Sequence, residues 1–252
     1  MPIIRRKPKT TSTQHSSPQK LSGKTSQNRS KKLPQRPRSL KDRRAAAKLL
    51  TDRLATVYPN SKCALNHRNA FELLVATVLS AQTTDERVNS VTPNLFTHFP
   101  TPETMAGASL ETLETILRPL GFFRSKAKSA KALSIALVED FAGEVPRTLE
   151  ELVTLRGVGR KTANVVLGNV FDTPGITVDT HVGRIARRWA WTRETDPVKA
   201  ELELNKLLPP EIWTVTCHRI IDHGRAICHS RKPECTLCPM RDICPSFEIL
   251  TA

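Results

Sequence analysis

Four cysteines near the C-terminal end of the chain constrain its fold more than any other feature. They follow the spacing C-x6-C-x2-C-x5-C and are Cys228, Cys235, Cys238 and Cys244. No secretion signal accompanies them, so a disulfide framework is not expected. Four closely spaced thiolates indicate a metal site wrapped by a loop, and the spacing alone fits an iron–sulfur cluster or zinc equally. Cys63 and Cys217 stand apart from this group.

The positive charge of the chain is concentrated at its N-terminus. Of a formal net charge of +15, the first forty residues carry 11 positive charges and no acidic residue. They are rich in Ser, Thr, Gln and Pro and almost free of large apolar side chains, so we expect residues 1–38 to form a disordered tail. Such a basic tail favours nucleic acid as a partner, but a solubilising or targeting role fits its charge as well.

Helical signals run through the rest of the chain. Predicted N-caps are Ser39, Thr83, Thr101, Thr148 and Asp196. Thr83 and Thr148 are each followed three residues later by Glu, as in a capping box, and proline follows Thr101 and Asp196. Only the stretch GITV, residues 175–178, reads as a strand. No apolar run is long enough to span a membrane. We therefore predict an all-α fold, as one large domain or two lobes.

A glycine turn opens one of these predicted helices. In LRGVGRKTANVVL, residues 155–167, Gly157 and Gly159 precede Lys161. A P-loop needs glycine directly before its lysine, and a dinucleotide fingerprint needs a third glycine after a strand, so neither motif fits. Unpaired N–H groups at the positive end of a helix dipole form an anion site, and phosphate is the usual anion. An ordinary helix-opening turn with a surface lysine is the alternative.

This turn, the cysteine spacing, LLVATVLSAQTTD (residues 73–85) and VDTHVGRIARR (residues 178–188) together resemble the endonuclease III family of bifunctional DNA glycosylases, in the helix-hairpin-helix superfamily. The resemblance covers about residues 40–248. It implies two helical lobes with a DNA-binding cleft between them. Residues 63–173 would form a six-helix lobe with the hairpin. Residues 39–62 and 174–248 would form a lobe with a [4Fe–4S] cluster on the four cysteines.

The resemblance also implies an activity: a monomer removes oxidised pyrimidines from double-stranded DNA and then cuts the strand at the abasic site. Lys161 matches the nucleophile that attacks C1′ of a flipped nucleotide and forms a Schiff base. Asp179 matches the catalytic aspartate, although it is also a plausible N-cap. One alternative is an adenine glycosylase of the same fold, whose members keep no lysine here. Another is a non-catalytic DNA-binding module stapled by zinc.

Six residues match DNA contacts of the family: Gln82, Phe122, Gly157, Gly159, Arg160 and His181. The two glycines and His181 would hold phosphates, and Gln82 would fill the gap left by the flipped base. Phe122 stands where many relatives carry a leucine wedge, and a core aromatic at a helix end is the alternative. Arg156 replaces a proline of many relatives. A bacterial source would make the protein cytoplasmic and nucleoid-associated, and nuclear or organellar import by the tail stays open.

Overall fold

A computed structural model describes residues 33–252, and in this range the chain is helical and contains no strand. The prediction of an all-α fold is confirmed. The helices are α1 (Leu40–Val57), α2 (Ala70–Leu79), α3 (Asp85–His98), α4 (Pro102–Gly107), α5 (Leu110–Leu117), α6 (Phe123–Phe141), α7 (Leu149–Leu152), α8 (Arg160–Val170), α9 (Thr180–Arg188), α10 (Pro197–Leu207), α11 (Trp213–Ala226) and α12 (Phe247–Thr251). Within residues 33–252, none of these helices combines the length and apolar character needed to cross a lipid bilayer.

Two hydrophobic cores divide the helices into two lobes. The first core is built from α2 to α8. The second joins α1 to α9, α10, α11 and the loop that carries the four cysteines. The first lobe has seven helical segments rather than the six expected, because residues Leu149–Leu152 form a single-turn helix before the glycine turn. From α1 onward, the described chain therefore begins in the second lobe, passes through the first and returns.

Most of the predicted helix starts are correct. Ser39, Thr101, Thr148 and Asp196 each accept a hydrogen bond from the backbone N–H three residues further on. Thr83 does not, because α3 begins one residue later and its N-cap is Thr84, which accepts from the N–H of Arg87 at 3.3 Å. The Thr83 hydroxyl is occupied by a tertiary contact instead, a hydrogen bond from the ammonium group of Lys126.

The helix α8 lies against both lobes. At Gly168 an added Cβ would meet the side chain of Thr214 on α11, with Thr214 Cγ2 only 3.0 Å away. Asn164 of α8 donates its amide to the carbonyl of Ile176 at 3.1 Å, and the N–H of Thr177 points at the Cys217 sulfur of α11 at 3.3 Å. The backbone of residues 175–178 thus hydrogen-bonds to side chains of α8 and α11 and not to another strand. The prediction of a strand there is wrong.

The predicted boundary of the basic tail also needs correction. The disorder expected for residues 1–32 lies outside the described residues. Arg36, placed in the tail by composition, instead belongs to the folded unit. Its guanidinium donates to Glu203 at 2.8 Å and to the carbonyl of Trp191 at 3.3 Å. A partly buried carboxylate on α10 thus holds an arginine that composition alone would leave in solvent.

Candidate active site

A cleft of about 260 Å³ brings Lys161 and Asp179 together from the two lobes. Along α8 it is lined by Lys161, Val165 and Asn169, which are four residues apart and so share one helix face. The opposite wall is lined by one face of α11, whose residues there follow helical spacing: Thr214, Cys217, His218, Ile221, Asp222 and Arg225. The cleft therefore runs between two helices of different lobes, with the predicted nucleophile and the predicted catalytic carboxylate both exposed to it.

Lys161 is the second residue of α8, directly behind the glycine turn. The N-cap is Gly159, which has no side chain to accept a hydrogen bond from the first turn of the helix. Gly157 has a φ of 83°, a left-handed conformation that glycine adopts without strain. The two glycines thus leave the N-terminal N–H groups of α8 open for an anion, as a helix start that binds phosphate requires.

Asp179 is the N-cap of α9 and lines the same cleft. Its Oδ1 accepts a hydrogen bond from the N–H of Val182 at 2.7 Å. The capping role inferred from the sequence is therefore confirmed, and it does not compete with a chemical role. A carboxylate accepts several hydrogen bonds, so one oxygen holds the helix while the group still faces Lys161 across the cleft.

His181 also lines this cleft and is packed tightly at its base. Its Nδ1 lies 3.1 Å from Nη2 of Arg184, and an added Cβ at Gly224 would come within 2.6 Å of the same nitrogen. Burial lowers the pKa of His181, against an opposing effect of the Asp179 carboxylate. A neutral imidazole at neutral pH contacts a phosphate by hydrogen bonding rather than as a cation.

Gln82 and Phe122 lie on two neighbouring loops of the first lobe. Gln82 and Gly121 line one open cavity of about 580 Å³. Both Gln82 and Phe122 are in the left-handed conformation, with φ values of 54° and 56°, which is costly for a bulky side chain. The Phe122 ring is 69 % exposed, so the alternative of a core aromatic is excluded. An exposed apolar ring is the form that a wedge residue requires.

The guanidinium of Arg160, a residue that the resemblance implies at DNA, is paired with a carboxylate of the second lobe. Its Nε and Nη2 donate to both carboxylate oxygens of Glu201 at 2.7 to 3.1 Å. Glu201 lies on α10 of the second lobe and is only 6 % exposed. A buried carboxylate needs a paired, hydrogen-bonded partner, and the planar guanidinium of Arg160 supplies it. The pair therefore clamps the start of α8 to the second lobe, directly beside Lys161.

The four clustered cysteines surround a second, separate cavity. Cys228, Cys235, Cys238 and Cys244 line it together with Trp189 and His223. Arg188 donates to the Cys228 sulfur at 3.0 Å, and the N–H of Met240 points at the Cys238 sulfur at 3.4 Å. Among residues 33–252, no group of three or more His, Cys, Asp or Glu side chains is close enough together to hold a single metal ion. Four thiols around a common space, with donors aimed at sulfur, fit a multi-atom iron–sulfur group.

Several residues of the cleft escaped the sequence analysis. Asp85 and Arg225 form an ion pair at 2.6 Å that joins the two lobes, and both line the cleft. Cys63 and Cys217 line it too, away from the metal loop. The partners in these contacts are far apart in sequence, so no local pattern predicts them. Glu201, the partner of Arg160, could have been noticed from the sequence. The helical period of α10 places this acidic residue on the buried side, where a carboxylate needs a partner.

Comparison with known proteins assigns the chain to a family. Residues 75–210 match the family described as HhH-GPD superfamily base excision DNA repair protein. Endonuclease III of Synechocystis sp. is 47 % identical over 196 residues, which are 77 % of this chain and 90 % of that protein. The chain belongs to the endonuclease III family. This family comprises base-excision DNA glycosylases that are also abasic-site lyases, so the chain is a DNA repair enzyme of that kind.

Other relatives agree with this membership. Endonuclease III of Bacillus subtilis is 45 % identical over 194 residues, covering 77 % of this chain and 89 % of that protein. A solved trapped covalent intermediate of an endonuclease III with DNA superposes with a TM-score of 0.79 and 41 % identity, covering 83 % of this chain and 99 % of the other. The fold seen here is thus that of an endonuclease III in complex with DNA.

The role of the Arg160–Glu201 pair is tested by a double-mutant cycle. We expect Glu201→Leu to destabilise the protein by about 1–3 kcal/mol, because it leaves the arginine unpaired. The double variant Arg160→Met/Glu201→Leu should recover most of this loss, because neither charge is then stranded. The measurement is the free energy of unfolding in urea. If Arg160→Met instead weakens DNA binding without changing stability, Arg160 is a DNA contact and not a clamp.

Proposed function

We propose that this protein excises oxidised pyrimidines from double-stranded DNA as a monomer and cuts the strand through a Schiff base on Lys161. The observation that carries the proposal is the shared cleft, where Lys161 from one lobe and Asp179 from the other face the same space. An inert DNA-binding module has no need of this pairing. The lysine argues against an enzyme that only removes the base, because covalent attack on the sugar requires a nucleophile.

The proposed chemistry proceeds in two stages. First, Nζ of Lys161 bonds to C1′ as the bond from C1′ to the base breaks, and the base leaves with the electron pair of that bond. Asp179 accepts the proton that the amine gives up and stabilises the positive charge that develops on the sugar. Ring opening then gives an imine. The C2′ proton then passes to solvent while its bonding electrons form the C2′–C3′ double bond, and the 3′ phosphate leaves with the electron pair of the C3′–O bond. Water hydrolyses the imine and frees the lysine.

The substrate has to leave the helix before Lys161 can reach it. A damaged nucleotide rotates into an enzyme pocket at a cost of unpairing and unstacking, which is smallest for damaged bases. In this proposal Phe122 enters the base step as a wedge, and Gln82 fills the gap. The glycine turn before α8 holds a nearby phosphate through backbone N–H groups and sets the register without reading sequence.

We also propose that Cys228, Cys235, Cys238 and Cys244 hold a [4Fe–4S] cluster. When bound, the cluster would cross-link the four cysteine thiolates and so fold the loop between α11 and α12. This loop packs on α9 through Arg188, which donates to the sulfur and carbonyl of Cys228. Through Arg188, the loop thus holds the C-terminal end of α9, the helix whose N-cap is Asp179.

The role of Lys161 is tested by borohydride trapping on a duplex with an abasic site. Lys161→Ala should still bind this DNA but give no covalent adduct, because no amine reaches C1′. Lys62→Ala is the matched control, since Lys62 lines the same cleft and its removal should leave the yield of adduct unchanged. A normal yield from Lys161→Ala would overturn the mechanism. Loss of the adduct from Lys62→Ala alone would reassign the nucleophile.

The role of Asp179 is tested by separating capping from chemistry. Asparagine is as good an N-cap as aspartate, so Asp179→Asn should change the free energy of unfolding by less than about 0.5 kcal/mol. Base excision and strand cleavage should nevertheless slow by about two to four orders of magnitude, because the carboxylate charge is lost. Urea unfolding and single-turnover kinetics measure the two effects. An unstable variant with near-normal activity per folded molecule would make Asp179 a cap only.

The metal group is tested by colour and by metal analysis of the purified protein. Protein prepared away from oxidants should be yellow-brown and contain iron and sulfide in equal amounts. Cys238→Ser should lose the colour. Cys63→Ala and Cys217→Ala are the controls and should keep it, since both cysteines lie on the other cleft. Stoichiometric zinc without sulfide would show that the loop binds a single ion instead.

A further inference from the structure

Lys126 is a buried lysine whose placement the chemistry above does not explain. It is the fourth residue of α6 and only 5 % exposed. Its side-chain nitrogen donates to the hydroxyl of Thr83, and within residues 33–252 no carboxylate is bonded to it. Burial lowers the pKa of Lys126, and no neighbouring acidic group counters that effect. Among residues 33–252, the buried Lys126 side chain therefore has one hydrogen-bond partner, the neutral hydroxyl of Thr83.

This arrangement costs stability. Lys126 lies in the first turns of α6, where the helix dipole is positive. The first turn contains no acidic residue, and no side chain caps it. Removing an ammonium group from water without a counter-charge is unfavourable, and an apolar side chain of similar length would satisfy the site better. The reason for a lysine here must therefore lie in what its hydrogen bond holds.

The hydrogen bond joins the two loops that carry Gln82 and Phe122. Thr83 follows Gln82 directly, and it lines both the Lys161 cleft and the cavity beside Gln82. It therefore forms part of the wall between the two spaces. At the other end, the backbone N–H of Lys126 donates to the carbonyl of Phe122 at 3.1 Å. One residue thus contacts the neighbour of Gln82 with its side chain and Phe122 with its backbone.

We propose that Lys126 is a positioning residue that fixes the Gln82 turn relative to Phe122, so that both side chains enter the DNA at a set spacing. This inference rests on the proposed function, in which those two residues open the base step. The left-handed Gln82 is costly without a contact that holds it. The Lys126–Thr83 bond is such a contact, because it fixes the residue immediately after Gln82 and prevents the turn from relaxing.

The proposal predicts opposite effects of one substitution on stability and on function. Lys126→Met should leave the melting temperature unchanged or raise it, because a buried unpaired charge is replaced by an apolar chain. Single-turnover excision of a paired oxidised pyrimidine should slow by roughly ten- to a hundredfold, the range for loss of a hydrogen bond to a charged group. Strand cleavage at a preformed abasic site should change by less than about threefold, because no base pair has to be opened.

Base opening is followed by the fluorescence of 2-aminopurine placed opposite the lesion, which should rise less with Lys126→Met than with the wild type. Lys128→Met is the matched control. It removes the same charge from an exposed position of α6 and should behave as wild type. Thr83→Val should reproduce the loss of excision, and combining it with Lys126→Met should add nothing further, because both remove one bond. Thr83→Ser keeps the hydroxyl and should retain activity.

Several results would overturn the proposal. Normal excision by Lys126→Met would show that the bond positions nothing. An equal loss on paired and abasic substrates would place Lys126 in general support of the cleft. Destabilisation by Lys126→Met with full activity in Thr83→Val would make the lysine structural. Failure of the proposed function looks different, because the wild type and Lys128→Met would then form no borohydride adduct with abasic DNA.

Discussion

The attachment of α8 to the second lobe is the contact on which the candidate active site depends. Lys161 belongs to a helix of the first lobe, and Asp179 belongs to a helix of the second, so their proximity requires a fixed relation between lobes. Besides the Asp85–Arg225 ion pair, three contacts supply it: the Arg160–Glu201 pair, the close approach of Gly168 to Thr214 and the Asn164 amide on the Ile176 carbonyl. Each lies on α8 within three turns of Lys161. A buried carboxylate such as Glu201 is tolerable only when paired, which makes separation of the lobes at this point expensive.

The helix that carries Asp179 is held at both ends by different means. At its N-terminus the aspartate itself caps the helix. At its C-terminal end Arg184 and Arg188 donate to the carbonyl of Cys228, and Arg188 also reaches the carbonyls of His229 and Ser230. Those carbonyls belong to the start of the four-cysteine loop and would otherwise be left unpaired at the end of α11. The loop thus orients α9 along its length, and a loop stiffened by thiolate ligation would keep the carboxylate in place.

Local sequence patterns predicted those features that depend on a few adjacent residues. Ser39, Thr101 and Asp196 cap helices because the side chain and the N–H that it satisfies lie three residues apart. Thr83 is not a cap because α3 begins one residue later and is capped by Thr84, and the Thr83 hydroxyl instead accepts from Lys126, 43 positions away. The segment 175–178 failed as a strand because helices on both sides provide its partners. The carboxylate partner of Arg160 was not predicted because Glu201 lies 41 positions further on. The sequence motifs predicted that Lys161 and the four cysteines are functional residues. The side-chain contacts that hold them could be seen only in the folded structure, because the partners are far apart in sequence.

The cleft that holds Lys161 and Asp179 differs from the two loops that carry Gln82 and Phe122 in backbone conformation and in hydrogen bonding. In the cleft, Asp179 caps α9, and Lys161 follows a turn whose left-handed residue is a glycine. The proposed DNA-opening residues differ, since Gln82 and Phe122 are non-glycine residues in the left-handed region, and the buried Lys126 donates to the hydroxyl of the neighbouring Thr83. Unfavourable conformations persist only where surrounding structure enforces them. Left-handed non-glycine residues also occur at Ala142, Asp172, Ala190 and Lys232, so this conformation alone does not mark a function. The Gln82 and Phe122 loops are set apart because Lys126 contacts both, and opening a duplex in the proposed way would use two groups that are held relative to each other before DNA binds.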